Sequence, residues 1–95
     1  MNKIEILKII SDETRYAIIN LLLSKNYCVM ALAKRLKITE AAVSQHLSVL
    51  KKADIVFGEK KGYFMHYKVN INIIVDTLNR VCKDIESKKN SNLKN

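Results

Sequence analysis

No proline interrupts this chain, and only two glycines punctuate its 95 residues. A fold of many short strands needs tight turns, and tight turns draw on those two residue types. A mostly helical domain is therefore expected. With 48% hydrophobic and 27% charged residues, the composition is that of a globular chain and not of a disordered one. A chain this short makes one small domain, whose limited core a second chain can complete.

Apolar spacing places the helices. Ile4, Leu7 and Ile10, with Ile6 and Ile9 beside them, mark a short first helix. Ser11 or Asp12 caps a second, which carries Ala17, Ile18, Leu21 and Leu22 on one stripe and stops near SKNY. A third is predicted over roughly Val29 to Leu36. Lys37 and Ile38 link it to a fourth, capped by Thr39, with Ala42, Val43, Leu47 and Leu50 continuing to about Ala53. Two such helices joined by a turn of about three or four residues form a helix-turn-helix pattern.

After Ala53 the period changes. The stretch IVFGEKKGYFMHYKV sets β-branched and aromatic residues either side of EKKG, which predicts a hairpin with Gly62 at positive φ near its tip. Residues 71–86 return to helix, with Ile74, Leu78, Val81 and Ile85 on one stripe and Ile71 and Cys82 alongside. A two-stranded hairpin is not stable alone in water, so it must pack on the helices as a wing. The expected fold is mainly α (α+β), a winged helix-turn-helix in the order α-α-α-α-β-β-α. One domain is expected over residues 1–88, followed by a polar tail over 89–95.

The net charge is +8, from 17 Lys and Arg against 9 Asp and Glu, and it is unevenly spread. Residues 34–68 hold eight basic and three acidic residues, whereas the first 25 residues net only +1. A basic working surface in mid-chain suggests a polyanionic partner. No apolar run approaches the roughly 20 residues that span a bilayer, and the N-terminus lacks a signal-peptide pattern. Two cysteines are too few for a secreted disulfide scaffold, so a cytoplasmic protein with reduced thiols is expected. Paired carboxylates, a Cys-His arrangement and a phosphate-cradling glycine loop are all missing, which argues against an enzyme.

The fourth helix carries the chemistry. Ser44, Gln45, Ser48, Lys51 and Lys52 point away from its apolar stripe, with Glu40, Ala41 and His46 flanking. A solvated face that binds nothing would account for the lysines. It accounts poorly for the Ser-Gln-His-x-Ser run, because Ser and His are mediocre helix formers. Short polar side chains can instead read base edges in a major groove: Gln bonds adenine bidentately, Ser bonds several edges and Ala meets a thymine methyl. Thr39 at the helix N-terminus suits a phosphate. Lys51 and Lys52 suit phosphate contacts that position without specifying. Lys60 and Lys61 at the hairpin tip suit the adjacent minor groove or its phosphates. A second reading is a winged-helix protein-interaction module that dimerises without specific DNA binding; the polar outer face speaks against it.

These residues carry a family resemblance. The run CVMALAKRLKITEAAVSQHLSVLKKADIV, followed by GEKKGYFMHYKV, resembles the ArsR-type (ArsR/SmtB) winged helix-turn-helix transcriptional repressors. SDETRYAIINLL resembles their DPTR…IL opening of the second helix, and the likeness runs from about Ile4 to Ile85. The resemblance implies a homodimer that represses by occupying a pseudo-palindromic operator in double-stranded DNA. It puts DNA contacts at Thr39, Ala41, Ser44, Gln45, His46 and Ser48, with Lys60, Lys61 and Gly62 in the wing. The dimer would bury Ile4, Leu7 and Ile10 with Ile74, Leu78, Val81 and Ile85.

Departures from the family pattern bear on the effector. Where many members carry a metal-binding CVC, this chain reads Cys28-Val29-Met30, a poor set for zinc, cadmium or lead, though Met suits Cu(I). At the last-helix ligand positions stand Ile71, Ile73, Asp84 and Ser87, and isoleucine cannot ligate, so that metal site is expected to be absent. Cys28 is open to three readings: a small buried hydrophobe, a partial ligand for a soft metal or arsenical, and a redox thiol. Cys82, beside the last stripe, is expected to pack at the dimer interface, with a redox role as the alternative. His46 and His66 lack a second ligand at helical spacing. Tyr63, Phe64 and Tyr67 are expected to pack, with one tyrosine hydroxyl at a phosphate as the alternative. Lys37 stands where the family has glycine before the reading helix, at a cost of about 1 kcal/mol if it is left-handed.

Overall fold

A computed structural model describes the backbone of residues 1–94 and the side chains of residues 1–89. Its elements follow the expected order: α1 (Lys3–Ile10), α2 (Glu13–Ser24), α3 (Val29–Leu36), α4 (Glu40–Lys52), β1 (Val56–Lys61), β2 (Phe64–Val69) and α5 (Ile71–Lys94). Side chains cap three helix starts by accepting orphan backbone N–H groups. Asn2 accepts from the Glu5 N–H at 2.9 Å, Asp12 from the Arg15 N–H at 2.9 Å and Thr39 from the Ala42 N–H at 3.0 Å. Cys28, the cap of α3, makes no such bond.

The two helices of the helix-turn-helix end alike. Lys37 (φ 58°) and Asp54 (φ 58°) are both left-handed, and each is followed by a Schellman-type bond. The Ile38 N–H reaches the Ala33 carbonyl at 3.2 Å, and the Ile55 N–H reaches the Leu50 carbonyl at 3.0 Å. Aspartate tolerates that backbone better than lysine does, because its short side chain bonds locally. Lys37→Gly is therefore expected to raise the unfolding free energy by about 0.5–1 kcal/mol, after the extra freedom of an unfolded glycine is subtracted. Urea unfolding checks it, and an unchanged or lower midpoint contradicts it.

Ile18, Leu32, Val43, Leu47, Leu50, Ile55 and Val56 form the fully buried centre, which joins α2, α3, α4 and β1. On α2 the buried residues are Ile18, Ile19 and Leu22, while Ala17 and Leu21 are half-buried. That face is rotated from the sequence stripe because α2 packs on α1, α3, α4 and β2 together.

β1 and β2 pair antiparallel from Val56↔Val69 to Lys61↔Phe64, leaving Gly62 and Tyr63 as a two-residue turn. Gly62 has φ +64° and Tyr63 does not share the positive φ, the type II′ pattern that suits a twisted hairpin. A further pairing was not legible in the sequence. Tyr27, between α2 and α3, bridges Tyr67 of β2, whose N–H donates to the Tyr27 carbonyl at 3.0 Å. Both tyrosines are buried, so the wing is stitched to the helical body.

α5 departs from the body. The radius of gyration is 16.2 Å, against about 12 Å for a compact domain of this length. The helix continues through residues 89–94, the segment read as a polar tail; the side chains from residue 90 onward and Asn95 lie outside the described residues. Ile73, Ile74 and Thr77 pack toward the body, and Val81 is half-buried. Ile71, Val75, Leu78 and Ile85 are exposed in the single chain, as is Ile4 of α1. Among the described residues no helix is long and apolar enough to cross a membrane.

Candidate nucleic-acid interface

The reading face is built by burying its opposite. Val43, Leu47 and Leu50 fix one side of α4 in the core. The helical repeat then turns Ala41, Ser44, Gln45 and Ser48 outward together, and all four are exposed. Thr39 is exposed at the helix start; its oxygen is used in capping, which leaves the hydroxyl hydrogen to donate outward. Lys52 is exposed at the far end. Lys51 is also exposed, but its ammonium lies 5.6 Å from the Tyr67 ring centre, tying the end of α4 to the wing.

His46 does not share the outward face. It is half-buried, with Nδ1 3.4 Å from an Arg15 guanidinium nitrogen and 3.9 Å from an Asp12 carboxylate oxygen. Arg15 in turn donates from Nε to the Ile9 carbonyl at 2.7 Å. The DETR segment is thus a clasp: Asp12 caps α2, Arg15 satisfies an orphan carbonyl at the end of α1, and His46 brings in the reading helix. Sequence reasoning missed this because the partners lie up to 31 residues apart. The Arg15 backbone N–H, followed by the positive charges of Arg15 and His46, holds the Asp12 carboxyl below its ordinary value. Its stabilising contribution is present above the unfolded carboxylate pKa and is lost as pH falls through the lower folded value.

The wing projects Lys60, Lys61 and Gly62, all exposed. Tyr63 is 99% exposed and Phe64 about half exposed, so of the three aromatics expected to pack only Tyr67 is buried. Lys68 and Glu59 pair across the strands at 2.7 Å, and that lysine holds the Glu59 carboxyl below its ordinary value. A Cβ at Gly58 would stand 2.7 Å from the Met65 sulfur, so Gly58 leaves room for that side chain to lie across the hairpin.

Cys28 is half-buried and shares a groove with Met30 and Met65; Cys82 is exposed on α5. No group of three or more His, Cys, Asp or Glu side chains comes together as a metal-binding set among the described residues. The Tyr27–Tyr67 bridge does bring Cys28 and His66 to one groove, a juxtaposition their sequence separation hides.

A helix-turn-helix with a polar reading face, next to a hairpin with a basic tip, defines a winged-helix DNA-binding protein. Residues 12–57 match the bacterial regulatory protein, arsR family. The transcriptional repressor SdpR of Bacillus subtilis (strain 168) is 32% identical over 74 residues, which cover 78% of this chain and 82% of the relative. The arsenical resistance operon repressor of Escherichia coli (strain K12) is 35% identical over 72 residues, 74% of this chain and 61% of that protein. An ArsR-like transcriptional regulator from Rhodococcus sp. RHA1 superposes with a TM-score of 0.81 at 25% identity, covering 94% of this chain and 81% of that one. The chain belongs to the ArsR family of bacterial regulatory proteins. It is a DNA-binding transcriptional regulator and not an enzyme.

Proposed function

We propose that this regulator works in the cytoplasm as a homodimeric repressor, occupying a pseudo-palindromic operator with one α4 in each of two successive major grooves. The observation that carries the reading is the shared outward exposure of Ala41, Ser44, Gln45 and Ser48 on a helix anchored from behind by the core. In the assignment of roles, Ser44, Gln45 and Ser48 read bases, with Ala41 beside them. Thr39, Lys52, Lys60 and Lys61 hold phosphates. Lys51 and His46 set the pose of α4 from the wing and from α2. Ile4, Leu7 and Ile10 join Ile74, Leu78, Val81 and Ile85 in the dimer. Two relatives bearing repressor names support the direction of control. The effector that would release DNA is a soft metal or arsenical at Cys28, or a thiol-reactive compound at Cys28 or Cys82.

Gln45→Ala is expected to cost about 1–3 kcal/mol on the operator and to leave random-duplex affinity unchanged. Lys61→Ala should weaken both duplexes alike and lower the salt dependence by about one counterion. Gel-shift titration across a salt series measures both. Equal loss on operator and random DNA for Gln45→Ala would remove the base-reading assignment.

A further inference from the structure

A groove between α3 and the β2 strand, away from the reading face, has a one-sided charge. Lys25, Tyr27, Cys28, Lys34, Arg35 and His66 line it, together with Asn26 and Ala31, around a space of about 340 Å³. That volume lies at the lower end for small-ligand sites. None of the lining residues belongs to α4 or to the wing tip, and none is a carboxylate. Glu59, opposite His66 on β1, is already bonded to Lys68 at 2.7 Å.

Among the described residues, Lys25, Lys34 and Arg35 have no ion-pair partner. Tyr27 holds two of them instead: the Lys25 ammonium is 5.4 Å and the Arg35 guanidinium 5.0 Å from its ring centre. The ring is buried, and its backbone is fixed by the bridge to Tyr67. An aromatic face attracts cations without neutralising them. Three positive charges therefore converge on one groove with no countercharge, and an oxyanion would relieve their repulsion. Arg35 brings a planar fork that matches two oxygens of one phosphate or carboxylate; the lysines act as point charges.

We propose that this groove is an oxyanion-binding site, taking a phosphate or carboxylate group between Arg35, Lys34 and Lys25. The groove joins the α2–α3 connection, α3 and β2, so an occupant spans the parts that carry the reading helix and the wing. The oxyanion is either a free small molecule or a phosphate of DNA flanking the operator.

The test uses the full chain in three forms: wild type, Lys34→Gln/Arg35→Gln in the groove, and Lys60→Gln/Lys61→Gln at the wing tip. All four side chains are exposed, and circular dichroism checks that folding is retained. In the first arm, sodium pyrophosphate is titrated while the Tyr27 and His66 amide resonances are followed. A free-anion site gives saturable shifts in wild type and in the wing variant, with binding weaker by about tenfold or more in the groove variant. In the second arm, a random-sequence duplex is bound across a salt series. A site for DNA phosphates leaves the pyrophosphate titration flat, and the groove variant lowers the slope of log affinity against log salt by about two. The proposal is overturned if the groove variant matches wild type in both arms, or if pyrophosphate binding is lost only in the wing variant.

Discussion

Leu78→Glu should convert the protein to a monomer and weaken operator binding by about 100-fold or more. Leu78 is 44% exposed in the single chain, at the centre of a row formed with Ile71, Val75 and Ile85. Steps of four, three and seven residues keep that row on one helix face, the spacing of a seam that packs on another helix. From Leu78 onward, only Val81 of the described α5 side chains is even half-buried, so the chain itself covers little of this seam. A second copy covers it in the proposed dimer, and a glutamate there would bury an unpaired charge. The effect on DNA follows from linkage between half-sites. Joining two reading heads makes the second contact intramolecular and multiplies affinity by about 10²–10⁴. Sedimentation equilibrium on the variant, beside its operator titration, measures both consequences. A variant that stays dimeric places the interface elsewhere.

Leu47→Ala should lower the unfolding free energy by about 2–5 kcal/mol. Leu47 is 1% exposed and sits on α4 between Val43 and Leu50, in the cluster that also holds Ile18, Leu32 and Ile55. Removing its branched end forfeits apolar burial and leaves a cavity, because the neighbours on α2 and α3 are held by their own packing. The loss is a large share of the roughly 5–15 kcal/mol that stabilises an ordinary domain. Ser44→Ala, on the opposite face of the same helix, should change stability by no more than about 0.5 kcal/mol. Urea unfolding of the two variants separates the packing face from the reading face. Similar losses in both would mean that Ser44 is not on a free surface.

The fold was legible where one segment contains its own pattern. The apolar spacing of α4, its Thr39 cap and the switch to strand period after Ala53 are local, and each appears in the structure within a residue or two. The exposure of Ser44, Gln45 and Ser48 follows from that same spacing. Features that depend on distant partners could not be read. His46 shares a helix with the reading residues, yet Asp12 and Arg15 on α2 draw it inward. Lys51 has the spacing of a phosphate contact, yet it lies over Tyr67, a residue the sequence places only in the wing. The Tyr27 bridge is a single residue and has no strand periodicity to announce it. Tyr63 was expected to pack because it is aromatic, but a two-residue turn leaves it nothing to pack on.

Titration of the purified protein against sheared genomic DNA at about 0.15 M salt decides whether α4 binds DNA sequence-selectively. A few fragments should be retained at least about 10³-fold more tightly than the bulk. Their protected region should contain two half-sites centred about 34 Å apart, one helical turn, and related by approximate two-fold symmetry. Uniform affinity across all fragments, with no protected site, would contradict sequence-selective binding.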